Sequence, residues 1–175
     1  MIEVTIDSVR VSLMSQHRVV VLKEYDGEHY LPIWIGPFEA DAITVQLQGV
    51  EVTRPMTHDL LMSIITRLEA QVTRVLIHDL HSETFFATVV IDTDGEIVEV
   101  DARPSDAIAL AVRARVPIFV AETVMNRAGI LSETDTPLPD QQEPRRKKDK
   151  AAKDEDGLDI FREFVEGLDL DSLGD

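Results

Sequence analysis

Residues 19–49 read VVVLKEYDGEHYLPIWIGPFEADAITVQLQG, and this stretch decides the fold. Residues 19–24 are mostly apolar and β-branched, as a strand requires. Asp26-Gly27 then marks a hairpin, because both residues tolerate the positive φ of tight turns. Residues 29–35 form the returning strand. Pro32 inside it cannot donate a ladder hydrogen bond, which predicts an edge or a bulge there. Gly36-Pro37 closes the strand and opens a helix, since proline is favoured at the first helical position. Ala40, Ile43, Val45 and Leu47 supply the predicted buried stripe of that helix, and Gly49 stops it.

The same order returns later in the chain. Val20-Val21-Leu22, Asp26-Gly27, Ile33-Trp34-Ile35, Pro37 and Asp41-Ala42-Ile43 have counterparts in Val89-Val90-Ile91, Asp94-Gly95, Ile97-Val98, Pro104 and Asp106-Ala107-Ile108. The pattern predicts an α+β domain made of a duplicated strand–turn–strand–helix unit. Its sheet would be mixed or antiparallel with helices packed on it, and the halves would be related by a pseudo-twofold axis. Outside the repeat, residues 3–13 alternate polar and apolar, a strand with one wet face. Thr57 is a predicted N-cap for a second helix to about residue 70, with Leu60, Leu61, Ile64, Ile65 and Leu68 as its apolar stripe. Strands are expected at 74–80, 84–91, 97–101 and 116–120, with helices at 104–115 and 122–128.

This compact domain is expected to span residues 1–135. Residues 136–157 are rich in Pro, Gln, Lys and Asp and nearly devoid of apolar side chains, the composition of a disordered charged linker. In residues 158–175, Leu158, Phe161, Phe164, Val165 and Leu168 lie on one side of an acidic amphipathic helix, expected to dock on its own domain or on a partner.

The 175-residue chain has no cysteine, which removes disulfides, iron–sulfur clusters, thiolate zinc sites and cysteine nucleophiles. No apolar run approaches a membrane span, and the N-terminal residues lack the pattern of a signal peptide. A cytoplasmic location without membrane association is the expectation. The formal charge of −16 excludes a broad basic face for phosphate polymers. Residues 1–135 carry 10 Lys and Arg against 21 Asp and Glu, so any contact with nucleic acid would be weak and local. A homodimer is expected, on the ground that sheet edges near Pro32 or Pro117 need cover.

The polar residues gather at the predicted helix starts. Glu39 follows Pro37, His58 and Asp59 follow Thr57, and Ser105 and Asp106 follow Pro104, with Arg54 and Arg103 just upstream of the last two helices. Free N–H groups at a helix start favour carboxylates and bind anions. Arginine presents a planar fork to phosphate oxygens, and His58 suits acid–base work near neutral pH. Two readings remain open: an anion site, or arginines paired with neighbouring carboxylates such as Glu39 or Asp101. His78 and His81, three apart near a strand end, do not share a face and make a poor metal site.

Leu31-Pro32-Ile33-Trp34-Ile35-Gly36, Glu39-Ala40, Arg54-Pro55-Met56-Thr57-His58-Asp59-Leu60-Leu61, Thr84-Phe85-Phe86-Ala87 and the run from Asp101 to Leu110 together resemble the bifunctional nuclease domain family. The resemblance covers residues 1 to about 133, and the Phe161-x-x-Phe164 tail is similar to tails of actinobacterial members. It implies hydrolysis of phosphodiester bonds in DNA and RNA. On that reading Glu39, His58, Asp59 and Asp106 are the catalytic candidates and Arg54, Arg103 and Ser105 the substrate-binding ones; the cofactor is left open, with a hydrated Mg²⁺ bound by Glu39, Asp59 and Asp106 as one candidate. The alternative is a non-enzymatic anion- or ligand-binding or protein-interaction module using the same pocket.

Overall fold

The computed structural model describes residues 1–11 and 17–131. The linker, the tail helix and its docking lie outside the described residues. The first unit of the repeat consists of β1 (Ile2–Val11), β2 (Arg18–Glu24), β3 (His29–Ile35) and α1 (Pro37–Leu47). After α2 (Thr57–Arg67), the second unit consists of β4 (Ala70–His81), β5 (Thr84–Thr93), β6 (Glu96–Ala102) and α3 (Pro104–Ala114). The short elements β7 (Ile118–Val120), α4 (Glu122–Ala128) and β8 (Ile130–Leu131) follow.

The strands make one mixed eight-stranded sheet in the order β6-β5-β4-β7-β1-β2-β3-β8. Each unit is an antiparallel three-stranded meander followed by a helix. The two meanders lie on either side of β7, which pairs antiparallel with β1 and parallel with β4. The duplicated architecture expected from the repeat is therefore present in the topology. Short side chains explain how the two repeat helices meet: Ala40, Ala42 and Ile43 of α1 and Ala107, Ile108, Ala109, Leu110 and Ala111 of α3 are buried, and the helices pack on each other. Val75 and Ile77 of β4, Ala87 and Val89 of β5, and Val20 and Leu22 of β2 complete the core.

Several local expectations are corrected. α2 ends at Arg67, and its N-cap is Met56 rather than Thr57. The chain reverses at Glu69, whose φ is 61°, and β4 starts at Ala70. Only Ile65 of the predicted stripe is buried; Leu60 is 56 % exposed, Leu61 40 %, Ile64 46 % and Leu68 69 %. The polar residues His58 and Asp59 turn toward α3, where each finds a partner, and the leucines are carried outward. Leu47 of α1 is likewise exposed.

The two Asp-Gly turns differ. Asp94 and Gly95 both take positive φ, 52° and 85°, in a two-residue hairpin loop. Asp26 and Gly27 do not, because four residues join β2 to β3 and relax the turn. Ser82 and Glu83 adopt positive φ without glycine between β4 and β5. Pro32 pairs with Val21 of β2, while β8 covers only His29 and Tyr30 on the other side. Pro117 flanks β7, an interior strand, so no open edge exists there to be covered. Among the described residues no helix is long and apolar enough to cross a membrane.

Candidate functional site

α1 and α3 begin alike. Each has an extended N-cap residue, Gly36 or Arg103, then a proline, then a carboxylate two positions later. The helix starts make Glu39, and not Asp41, the counterpart of Asp106, although the Asp-Ala-Ile triplets suggest the other match. Because the halves face each other across packed helices, the two equivalent acids meet. Arg103 joins them: its Nη2 donates to Glu39 Oε1 at 2.7 Å and its Nε to Asp106 Oδ2 at 2.6 Å. The two carboxylates together strengthen the hold of the guanidinium on its proton, Asp106 most.

His58, from the first turn of α2, lies 3.1 Å through Nε2 from Asp106 Oδ1. Burial pushes the Asp106 carboxyl up, but the hydrogen bonds from Arg103 and His58 and the Arg103 charge outweigh it and leave it below the ordinary carboxylate range. An ionised carboxylate only accepts, so Nε2 carries the proton in this contact. His58 Nδ1 is buried and has no hydrogen-bond partner among the described residues. His58 as a whole is 7 % exposed. The Arg103 side chain, at 67 % exposed, is the open member of the cluster.

Asp59 stands elsewhere. One oxygen accepts from the Met56 N–H at 2.8 Å, closing the start of α2, and the other accepts from Arg113 Nε at 2.6 Å. Burial raises the Asp59 carboxyl, and the Met56 N–H and Arg113 more than reverse this, so it too lies below its usual value. The Arg113 side chain is 5 % exposed, and its Nη1 also donates to the carbonyls of Ala42 and Ala109. One cation thus ties α1, α2 and α3 together. Sequence reading missed it: an arginine in the last turn of a helix reads as a dipole complement, and nothing local announces a partner on another helix.

Of the sequence-selected residues, Glu39, His58, Arg103 and Asp106 converge. Asp59 belongs to the neighbouring ion pair. Ser105 is buried at 6 % exposure. Arg54 is exposed in the segment before α2 and forms no ion pair among the described residues. No three His, Asp or Glu side chains are placed to hold one metal ion among the described residues.

Fold and site define a duplicated α+β domain with a histidine–carboxylate–arginine cluster where three helix starts meet. The family model for the bifunctional nuclease domain matches residues 20–133. The chain belongs to the bifunctional nuclease domain family. It is 39 % identical over 171 residues, 98 % of this chain and 97 % of the relative, to an uncharacterized protein, Rv1829, of Mycobacterium tuberculosis. It is 31 % identical over 108 residues to Bifunctional nuclease 1 of Arabidopsis thaliana, covering 59 % of this chain and 33 % of that one. It is 26 % identical over 133 residues to Bifunctional nuclease 1 of Oryza sativa subsp. japonica, covering 74 % and 40 %. The matched part is thus a minority of each plant relative's length.

Proposed function

We propose that this domain hydrolyses phosphodiester bonds of DNA and RNA at the Glu39–Arg103–Asp106–His58 cluster. The supporting observation is the meeting of Glu39 and Asp106 on the exposed Arg103 guanidinium, with His58 behind Asp106, in a chain of the nuclease family. Arg103 is the group for the substrate phosphate, whose oxygens match its two-pronged donor geometry. A phosphate that draws Arg103 outward releases Glu39, which has no other hydrogen bond in the cluster. Glu39 then accepts a proton from the water whose oxygen attacks phosphorus, and the departing ester oxygen is protonated from solvent. Asp106, held by the His58 Nε2–H, keeps Arg103 aimed. His58 acts here as a positioning residue rather than as the base expected from sequence.

Glu39 and Asp106 are both held by Arg103 and no third His, Asp or Glu joins them among the described residues, so the cluster does not fit a directly held Mg²⁺. Arg54, on the segment leading into α2, is a further contact for the phosphate chain.

A second reading, a ligand-binding module without turnover, draws on the charge balance. The excess of acids over bases in residues 1–135 opposes a long phosphate polymer. Cleavage of labelled single- and double-stranded DNA and RNA by the full chain, with Mg²⁺, Mn²⁺ or EDTA, separates the two. Glu39→Gln and Arg103→Ala should each lower the rate by about 100-fold or more. Equal cleavage by wild type and variants, or none by any, overturns the nuclease reading. Saturable thermal stabilisation by a nucleotide or phosphorylated metabolite without turnover would then support the second.

A further inference from the structure

The outward face of α2 carries an exposed apolar stripe that the candidate site does not use. Leu60, Ile64 and Leu68 follow one another at four-residue spacing along the helix, with Leu61 beside them, and all four are at least 40 % exposed. Together they leave roughly 400 Å² of apolar surface in water, within the range of functional patches on soluble proteins. One side of a standard interface is about 800 Å², a little over half of it apolar, so this stripe supplies nearly the whole apolar share. The ionisable groups of the first turns are turned away from it: His58 bonds Asp106 and Asp59 bonds Arg113. Ser63, exposed between Leu60 and Ile64, is small enough to let another helix approach closely.

We propose that a second copy of this chain covers this face, with α2 packed on α2 across a twofold axis. An isologous contact sets the same patch of both copies face to face, and the apolar area of this stripe approaches what one side of such a contact needs; Arg67, exposed beside Leu68, bounds it toward the end of α2. Another exposed apolar segment, β6, is a poorer candidate. Glu96, Glu99 and Asp101 alternate with Ile97, Val98 and Val100 along it, so edge-to-edge pairing would bring like charges together. The acid excess of the domain disfavours nucleic acid or an anionic membrane as the occupant. It also repels a second copy at long range, so added salt should tighten the dimer.

The test uses the full chain. Sedimentation and light scattering at about 20 µM should give the mass of a dimer, with a fraction that grows between low and high salt. Ile64→Glu should weaken dimerisation by about 100-fold, as for a central hot spot, with circular dichroism and melting unchanged below the dimer threshold. Because the chain has no cysteine, Ser63→Cys places a single thiol near the axis. Mild oxidation should cross-link it, whereas Glu28→Cys, on a β-turn away from α2, should stay largely uncross-linked. A monomeric wild type, an Ile64→Glu variant that dimerises normally, or cross-linking no better at Ser63 than at Glu28 would each overturn the proposal. If Ile64→Glu fails to fold, the cysteine pair decides.

Discussion

Replacing Arg113 by Met removes the cation that joins three helices while keeping most of the volume of its stem. Three hydrogen bonds go with it: one charge-assisted bond to Asp59 and one each to the carbonyls of Ala42 and Ala109. The bond to the carboxylate is worth about 1.5–3 kcal/mol and each bond from the guanidinium to a carbonyl at least about 1 kcal/mol. The methionine thioether recovers part of this by packing. Asp59 keeps its bond from the Met56 N–H and some water, which limits the cost of the orphaned carboxylate. The expected loss is about 3 kcal/mol, at the lower end for breaking a buried pair, or a fall of roughly 10 °C in Tm for a domain of this size. Asp59 titrates below its unfolded value, so the stability it contributes is full above the ordinary carboxylate pKa and fades as pH falls through the folded one. Urea unfolding of wild type and variant at pH 7 and pH 3 measures this directly. The gap between them should shrink sharply at pH 3. A gap under about 1 kcal/mol at pH 7, or one unchanged at pH 3, would refute the reasoning.

Arg103→Ala should cost less than about 1 kcal/mol in urea unfolding, because the Arg103 side chain is largely exposed, while nuclease activity falls as stated above. His58→Gln, whose amide N–H can take the place of Nε2–H against Asp106, should retain more activity than His58→Phe, which cannot donate; equal rates in the two would remove the positioning role. Asp106 is also held below its ordinary value, so Asp106→Asn should flatten the loss of stability between about pH 5 and pH 2, seen as a smaller spread of Tm across that range. Gly95→Val, at φ 85° between β5 and β6, should destabilise by about 1–2 kcal/mol, seen in urea unfolding, because a β-branched side chain is strained at that φ although the space around it is open.

Strand alternation, Asp94-Gly95, the helix-opening prolines 37 and 104, and the recurring Asp-Ala-Ile triplets determined the α+β class, the repeated unit and, among the described residues, the location of the helices within a few residues. These are local preferences, and local chemistry is written in sequence. The same locality picked out Glu39, His58, Arg103 and Asp106 as residues at helix starts. Only tertiary structure decided which of them meet. Pairing α1 against α3 put Glu39 opposite Asp106, which the triplet alignment had matched to Asp41. The contact of α2 with α3 sent His58 to one acid and gave Asp59 to Arg113. The rotation of α2 follows from the same cause. An apolar stripe at helical spacing is normally buried, but here two polar contacts on the opposite face fix the helix first, and Leu60, Leu61, Ile64 and Leu68 are left in water. Which face of a helix turns inward is set by the sum of its long-range partners, and those partners are far away in the chain.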